Sequence, residues 1–169
     1  VIPSTITCGE TFSLKIKAED MWGNPTNQAV KKIIPKTNQP IKNLPEFINI
    51  KEGNFATVVS GLMVNSTGAL EIKLHSSDGS LMATCNPSKV FNSSILKNYW
   101  GDLHGQSEET LGTNSATDYF AFGRDLAFLD ACAHQGNDFQ MTDTFWKDLN
   151  KITAQFNEEG KFVTLPGYE

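Results

Sequence analysis

From Thr11 to Ala18 the chain alternates polar and apolar side chains (Thr11-Phe12-Ser13-Leu14-Lys15-Ile16-Lys17-Ala18), the period of a strand with one buried face. Trp22-Gly23-Asn24-Pro25 follows as a turn. Short apolar runs recur at Phe47–Ile50, Ala56–Val59, Leu62–Val64 and, alternating again, Ala69–His75. Glu52-Gly53-Asn54, Ser66-Thr67-Gly68 and Asp78-Gly79 punctuate them, while Pro35 and Pro40 mark a looser stretch. Evenly spaced short strands with turn residues between them predict an antiparallel, immunoglobulin-like sandwich over residues 1–95. Asn86-Pro87 and the polar run Asn92-Ser93-Ser94 read as its exit.

The pattern then changes period. Tyr99–His104 is a short strand candidate. Tyr119, Phe122, Leu126 and Leu129 fall three or four residues apart, one face of a helix beginning after Ser115. Leu129–His134 is a second strand, and Gln135–Asp138 a polar loop. Thr142 can cap a second helix whose stripe is Phe145, Leu149, Ile152 and Phe156, with Gly160 as its stop. Lys161–Pro166 is a third strand. The order β-α-β-α-β over residues 96–169 predicts parallel strands joined by right-handed crossovers.

Charge sharpens this division. Residues 1–97 carry 10 Lys against 7 Asp and Glu, a net +3, and residues 98–169 carry 4 Lys and Arg against 12 acids, a net −8. The overall charge of −5 argues against a nucleic-acid backbone as the main partner. No stretch approaches the about 18 apolar residues that a membrane helix needs. Cys8, Cys85 and Cys132 are too scattered for a disulfide framework or a paired-cysteine zinc site, and lean towards a cytoplasmic setting, although Cys8 and Cys85 can pair if the fold brings them together. The chain starts at Val1 with no basic-then-apolar leader before it, so it reads as processed, engineered or part of something longer.

Candidate chemistry gathers at one end of the predicted parallel sheet. Asp102 and His104 end the first strand, His134 ends the second with Asp138 in the loop after it, and Glu169 follows the third. C-terminal strand ends form the active-site rim of parallel β/α folds. Each residue taken singly has a plain reading: a strand-end acid, a hydrogen-bonded structural histidine, a chain-terminal carboxylate. Their shared position on three successive strands favours a metal site, and mixed nitrogen and oxygen donors suit zinc, manganese or iron. Asp130, inside its strand, is placed behind the ligands or against a helix. His75 sits at a sandwich strand end beside a solvent-type turn and is assigned no chemistry.

Tyr-Trp-Gly-Asp-Leu-His-Gly-Gln-Ser (99–107), Leu129-Asp130 and Leu-Pro-Gly-Tyr-Glu (165–169) resemble the opening motifs of the PHP (polymerase and histidinol phosphatase) superfamily. The nearest resemblance is to a bacterial branch in which a β-sandwich precedes the PHP domain, matched in the first half only through Cys-Gly-Glu-Thr-Phe (8–12) and Trp-Gly-Asn-Pro (22–25). The resemblance implies a distorted (β/α)7 barrel, up to three metal ions and hydrolysis of phosphoesters. It makes Asp102 and His104 the counterpart of a His-x-His motif, with a carboxylate in the first place, and makes Glu169 a metal-bridging glutamate. The Thr-Asp-His motif is replaced by His134-Gln135-Gly136-Asn137-Asp138, leaving His134 or Asp138 as ligand or proton carrier. Later family motifs have no counterpart here. The chain is therefore expected to be the front of a longer polypeptide or a fragment needing a complementary one, with a small phosphoester as substrate. The alternatives are a degenerate PHP scaffold that binds or assembles, and a metal-dependent amide or lactone hydrolase.

Overall fold

The computed structural model describes residues 1–29, 32–93 and 96–169. The expected boundary at residue 95, and Ser94 of the polar run, lie outside the described residues. The fold is mostly β-sheet with few helices, and among the described residues no sheet closes into a barrel. It divides into two compact units, Val1–Asn98 and Tyr99–Glu169.

The first unit holds β1 (Thr5–Thr7), β2 (Thr11–Lys17), β3 (Lys32–Thr37), β4 (Ile48–Asn49), β5 (Ala56–Met63), β6 (Gly68–Leu70), β7 (Ile72–His75), β8 (Leu81–Thr84) and β9 (Ser88–Phe91). They form sheets ordered β1-β9-β6, β2-β5 and β4-β3-β7-β8. Pairing is antiparallel except between β1 and β9, which run parallel. Alternation in β2 sends Phe12, Leu14 and Ile16 into one core with Ile33, Ile48, Leu62, Leu70, Ile72, Leu74 and Val90. Two expectations need correction. The run Ala69–His75 is two strands in different sheets, broken at Glu71, whose N–H bonds Asn38 Oδ1 instead of a ladder partner. Pro35 lies inside a strand: β4 pairs only with Lys32 and Ile33, so the side of β3 where a proline lacks its N–H carries no pairing at position 35.

The second unit holds β10 (Gly101–Gly105), α1 (Ala116–Asp125), β11 (Ala131–His134), α2 (Asp143–Phe156) and β12 (Val163–Leu165). The three strands are parallel in the order β10-β11-β12. Cys132 and Thr164 are paired neighbours and share a face. Helix α1 lies against that face where Gly123 meets Cys132 Sγ, and α2 where Thr164 Oγ1 donates to the Thr153 carbonyl. Both helices start on side-chain caps: Ser115 Oγ accepts from Asp118 N, and Thr142 Oγ1 from Phe145 N.

The α2 stripe packs as its spacing predicts, with Leu149 fully buried and Phe145, Ile152 and Phe156 beside it. The α1 stripe does not. Its buried face is Ala116, Phe120 and Gly123, while Phe122 is 47% exposed. The helix ends at Asp125, and Phe128, in the left-handed region at φ 58°, turns the chain towards β11 before Leu129 is reached.

Candidate functional site

Strand β10 ends in a bulge. Asp102 pairs with Cys132 and Gly105 with His134, so three steps on β10 match two on β11. Asp102 Oδ1 accepts the His104 N–H at 3.0 Å inside this bulge. Strict alternation, which would put Asp102 and His104 side chains on one face, therefore does not apply. Instead the Asp102 carboxylate holds the backbone that carries His104. Tyr119 crosses behind the bulge, its hydroxyl donating to the Asp102 and Ala133 carbonyls at 3.3 and 3.1 Å. Burial, with Cys132 and Asp102 adding to it, pushes the Tyr119 hydroxyl's pKa up, so it remains a donor.

His104 and Glu169 meet at the C-terminal ends of β10 and β12. His104 Nε2 lies 3.3 Å from Glu169 Oε1, with the two side chains 65% and 45% exposed. The backbone of Glu169 is gripped by the loop after β11: its N–H donates to the Gly136 carbonyl at 3.0 Å, and its carbonyl accepts the Asp138 N–H at 2.8 Å. Asp138 is thus beside Glu169 through main chain, at the start of a 3-10 turn (Asp138–Gln140), and its carboxylate is exposed.

His134 is not brought to this pair. Its side chain is fully buried, Nε2 lies 2.8 Å from Ser107 Oγ, and Nδ1 accepts the Gly136 N–H at 3.2 Å. With both nitrogens engaged by buried partners, the ring is not placed beside the pair as a metal ligand. Asp130 also lies away from the rim: its Oδ2 accepts the Trp100 N–H at 2.8 Å, fastening the N-terminal end of β10. Ser107, the partner buried with His134, closes the 99–107 run, but nothing in that run marks it as the partner of a residue 27 positions later.

Burial pushes the His134 pKa down, with the Gly167 carbonyl and the Glu109 carboxylate pulling weakly upward. The unfolded ring therefore takes a proton more readily than the folded one. Stability from the neutral ring is complete above the unfolded value of about 6.5 and is lost as pH falls below it. Denaturant unfolding of the chain should show a midpoint that declines from pH 6.5 downward through His134. The decline should be smaller in His134→Asn, and an equal decline in both proteins would remove His134 as its cause.

Imidazole and carboxylate are donors that zinc, manganese and iron accept. Donors about 2.0–2.1 Å from a tetrahedral centre stand about 3.3 Å apart, the separation that His104 and Glu169 already have. The two positions fit adjacent ligands of one ion. Among the described residues no group of three or more His, Cys, Asp or Glu side chains is placed to hold a metal.

No protein-family profile matches the chain. A Chlamydia pneumoniae protein described as uncharacterized is 28% identical over 174 residues, covering 99% of this chain and 27% of its own. An uncharacterized protein of Chlamydia trachomatis serovar D is 28% identical over 169 residues, covering 98% and 27%. The chain thus spans about a quarter of the length of the curated relatives it matches. A solved structure titled "Structure of PhoD" superposes over 99% of this chain and 38% of its own at 10% identity, with a TM-score of 0.38, too loose a match to bear on function. No helix among the described residues is long and apolar enough to cross a membrane.

Proposed function

We propose that the second unit is the opening part of a metal-dependent hydrolase of the PHP kind, acting on small phosphoesters. The observation that carries this reading is the His104–Glu169 pair, brought to 3.3 Å from the C-terminal ends of the first and third parallel strands. In this reading His104 Nε2 and Glu169 Oε1 bind one ion, Asp102 holds the His104 backbone, and the exposed Asp138, joined to Glu169 through main chain, handles a proton. The ion supplies Lewis acidity towards a phosphoryl oxygen. The remaining ligands, and the strands that would close a (β/α)7 barrel, come from further segments of a longer protein, as the length of the relatives allows. The first unit is read as an immunoglobulin-like sandwich without chemistry, supported by its antiparallel sheets around one core and its parallel first and last strands.

The test uses the longer protein. It should hydrolyse an aryl phosphomonoester or diester with manganese or zinc supplied. His104→Ala should lower metal affinity about tenfold or more, whereas His75→Ala, at a ring that donates from Nδ1 to the Gly79 carbonyl within its own turn, should change neither metal content nor rate. Amide or lactone turnover without phosphoester turnover would select the related hydrolase chemistry. Absence of bound transition metal from carefully purified protein would select a binding or assembly role.

A further inference from the structure

His134 is buried, yet its neighbours Gln135 and Gly136 carry backbone bonds that shape the rim. Its ring is clamped edge-on between Phe145 and Tyr119, at centroid separations of 5.6 and 6.5 Å. The Gly136 N–H points at Nδ1, which fixes the tautomer: Nδ1 accepts, and the proton on Nε2 is donated to Ser107 Oγ. From Gly136 the bonds run outward to the pair. The Gly136 carbonyl takes the Glu169 N–H at 3.0 Å, and two residues on the Asp138 N–H reaches the Glu169 carbonyl at 2.8 Å. In the other direction the Gln135 N–H donates to the Gly105 carbonyl at 2.7 Å, next to His104. Gly136 has no freedom to drift inward, because a Cβ there would lie 2.5 Å from Thr110 Cγ2 and 2.9 Å from His134 Cε1.

We infer that His134 is a positioning residue: by accepting the Gly136 N–H it hangs the 135–138 loop in place, and that loop holds Glu169 opposite His104. The effect on metal binding rests on reading His104 and Glu169 as ligands; the anchoring of Glu169 does not. The acceptor is the operative group. Removing it leaves a buried N–H unpaired, and the loop recovers that cost only by turning Gly136 towards water, which releases Glu169. The bond to Ser107 orients the ring and reaches Glu169 only by a longer route, through Thr110 and Gln140.

Two substitutions separate the nitrogens. In His134→Asn the amide oxygen can stand where Nδ1 stands, keeping the acceptor and dropping the Ser107 bond. In His134→Gln the longer side chain can keep the Ser107 bond and leaves Gly136 without its acceptor. In the 169-residue chain, amide hydrogen exchange at Asp138 and Glu169 should quicken about tenfold in His134→Gln and stay near the parent's rate in His134→Asn, while the Cys132 amide changes little in either. Manganese titration, read by broadening of the His104 and Glu169 signals, should be weakened about fivefold in His134→Gln and hardly in His134→Asn. Should either variant fail to fold, nitrogen-15 shifts of the parent's ring still decide: a proton on Nε2 supports the inference and one on Nδ1 overturns it. Loss of protection in His134→Asn with retention in His134→Gln also overturns it. If exchange follows the expected pattern but manganese broadens nothing in the parent, the anchoring stands and the ligand pair of the proposed function falls.

Discussion

Phe120→Ala should melt the second unit. Phe120 has no exposed surface and its ring lies 5.2 Å from Tyr119 and 5.8 Å from Phe156, in a core shared with Ala116, Cys132, Leu149 and Phe162. Truncating a buried phenylalanine costs about 3–5 kcal/mol, from lost transfer energy and the cavity left behind. A domain of this size has only about 5–15 kcal/mol to lose, and each kcal/mol lowers its melting point by about 4–8 °C. Both α-helices among the described residues lie in this unit, so the helical far-ultraviolet signal reports on it directly. Its midpoint should fall by at least 12 °C, whereas Phe122→Ala, on the exposed side of the same helix, should shift stability by no more than about 0.5 kcal/mol. Equal shifts for the two variants would mean that the buried face of α1 has been drawn wrongly.

That pair of residues also shows what sequence pattern can and cannot carry. In α2 the buried face is written in large side chains, Phe145, Leu149, Ile152 and Phe156, and spacing alone finds it. In α1 Phe120 is the one large side chain on a face otherwise made by Ala116 and Gly123, which pack close because they are small and add little to the apolar pattern. Gly123 is what lets the helix reach β11: a Cβ there would stand 2.5 Å from Cys132 Sγ. In the first unit, β2 is legible because its alternation is complete in itself. Strands β1 and β9 are not, since what makes them strands is their pairing with each other across the length of the unit.

The site divides the same way. Parallel strand order follows from alternating element types, and it suffices to predict that residues at the C-terminal end of β10 and beyond β12 come together, as His104 and Glu169 do. The face of a single residue at a strand end is less secure, because the extra residue in the β10 bulge, between Asp102 and Gly105, displaces His104 from the face it would share with Asp102. His134 shows a further limit. A histidine at a strand end has the same letters whether it faces the rim or turns inward, and its burial is decided by partners distant in sequence, Ser107 27 residues earlier and the rings of Tyr119 and Phe145.

Gly105→Ala should then disturb the bulge that presents His104. No positive φ is involved, so the backbone itself accepts alanine. The obstacle is Tyr119: a Cβ at position 105 would lie 2.0 Å from its Cζ and 2.2 Å from its hydroxyl. The ring must move, and in moving it gives up hydrogen bonds to the Asp102 and Ala133 carbonyls. Overpacking and the lost bonds together should cost about 2–4 kcal/mol. Tyr119→Ala opens the same space, so in that background Gly105→Ala should cost less than about 1 kcal/mol, a coupling of about 1–3 kcal/mol between the two positions. Denaturant midpoints of the parent, both single variants and the double variant measure it. Simple additivity would show that Tyr119 does not press on Gly105, and the account of how β10 holds His104 at the rim would have to be redrawn.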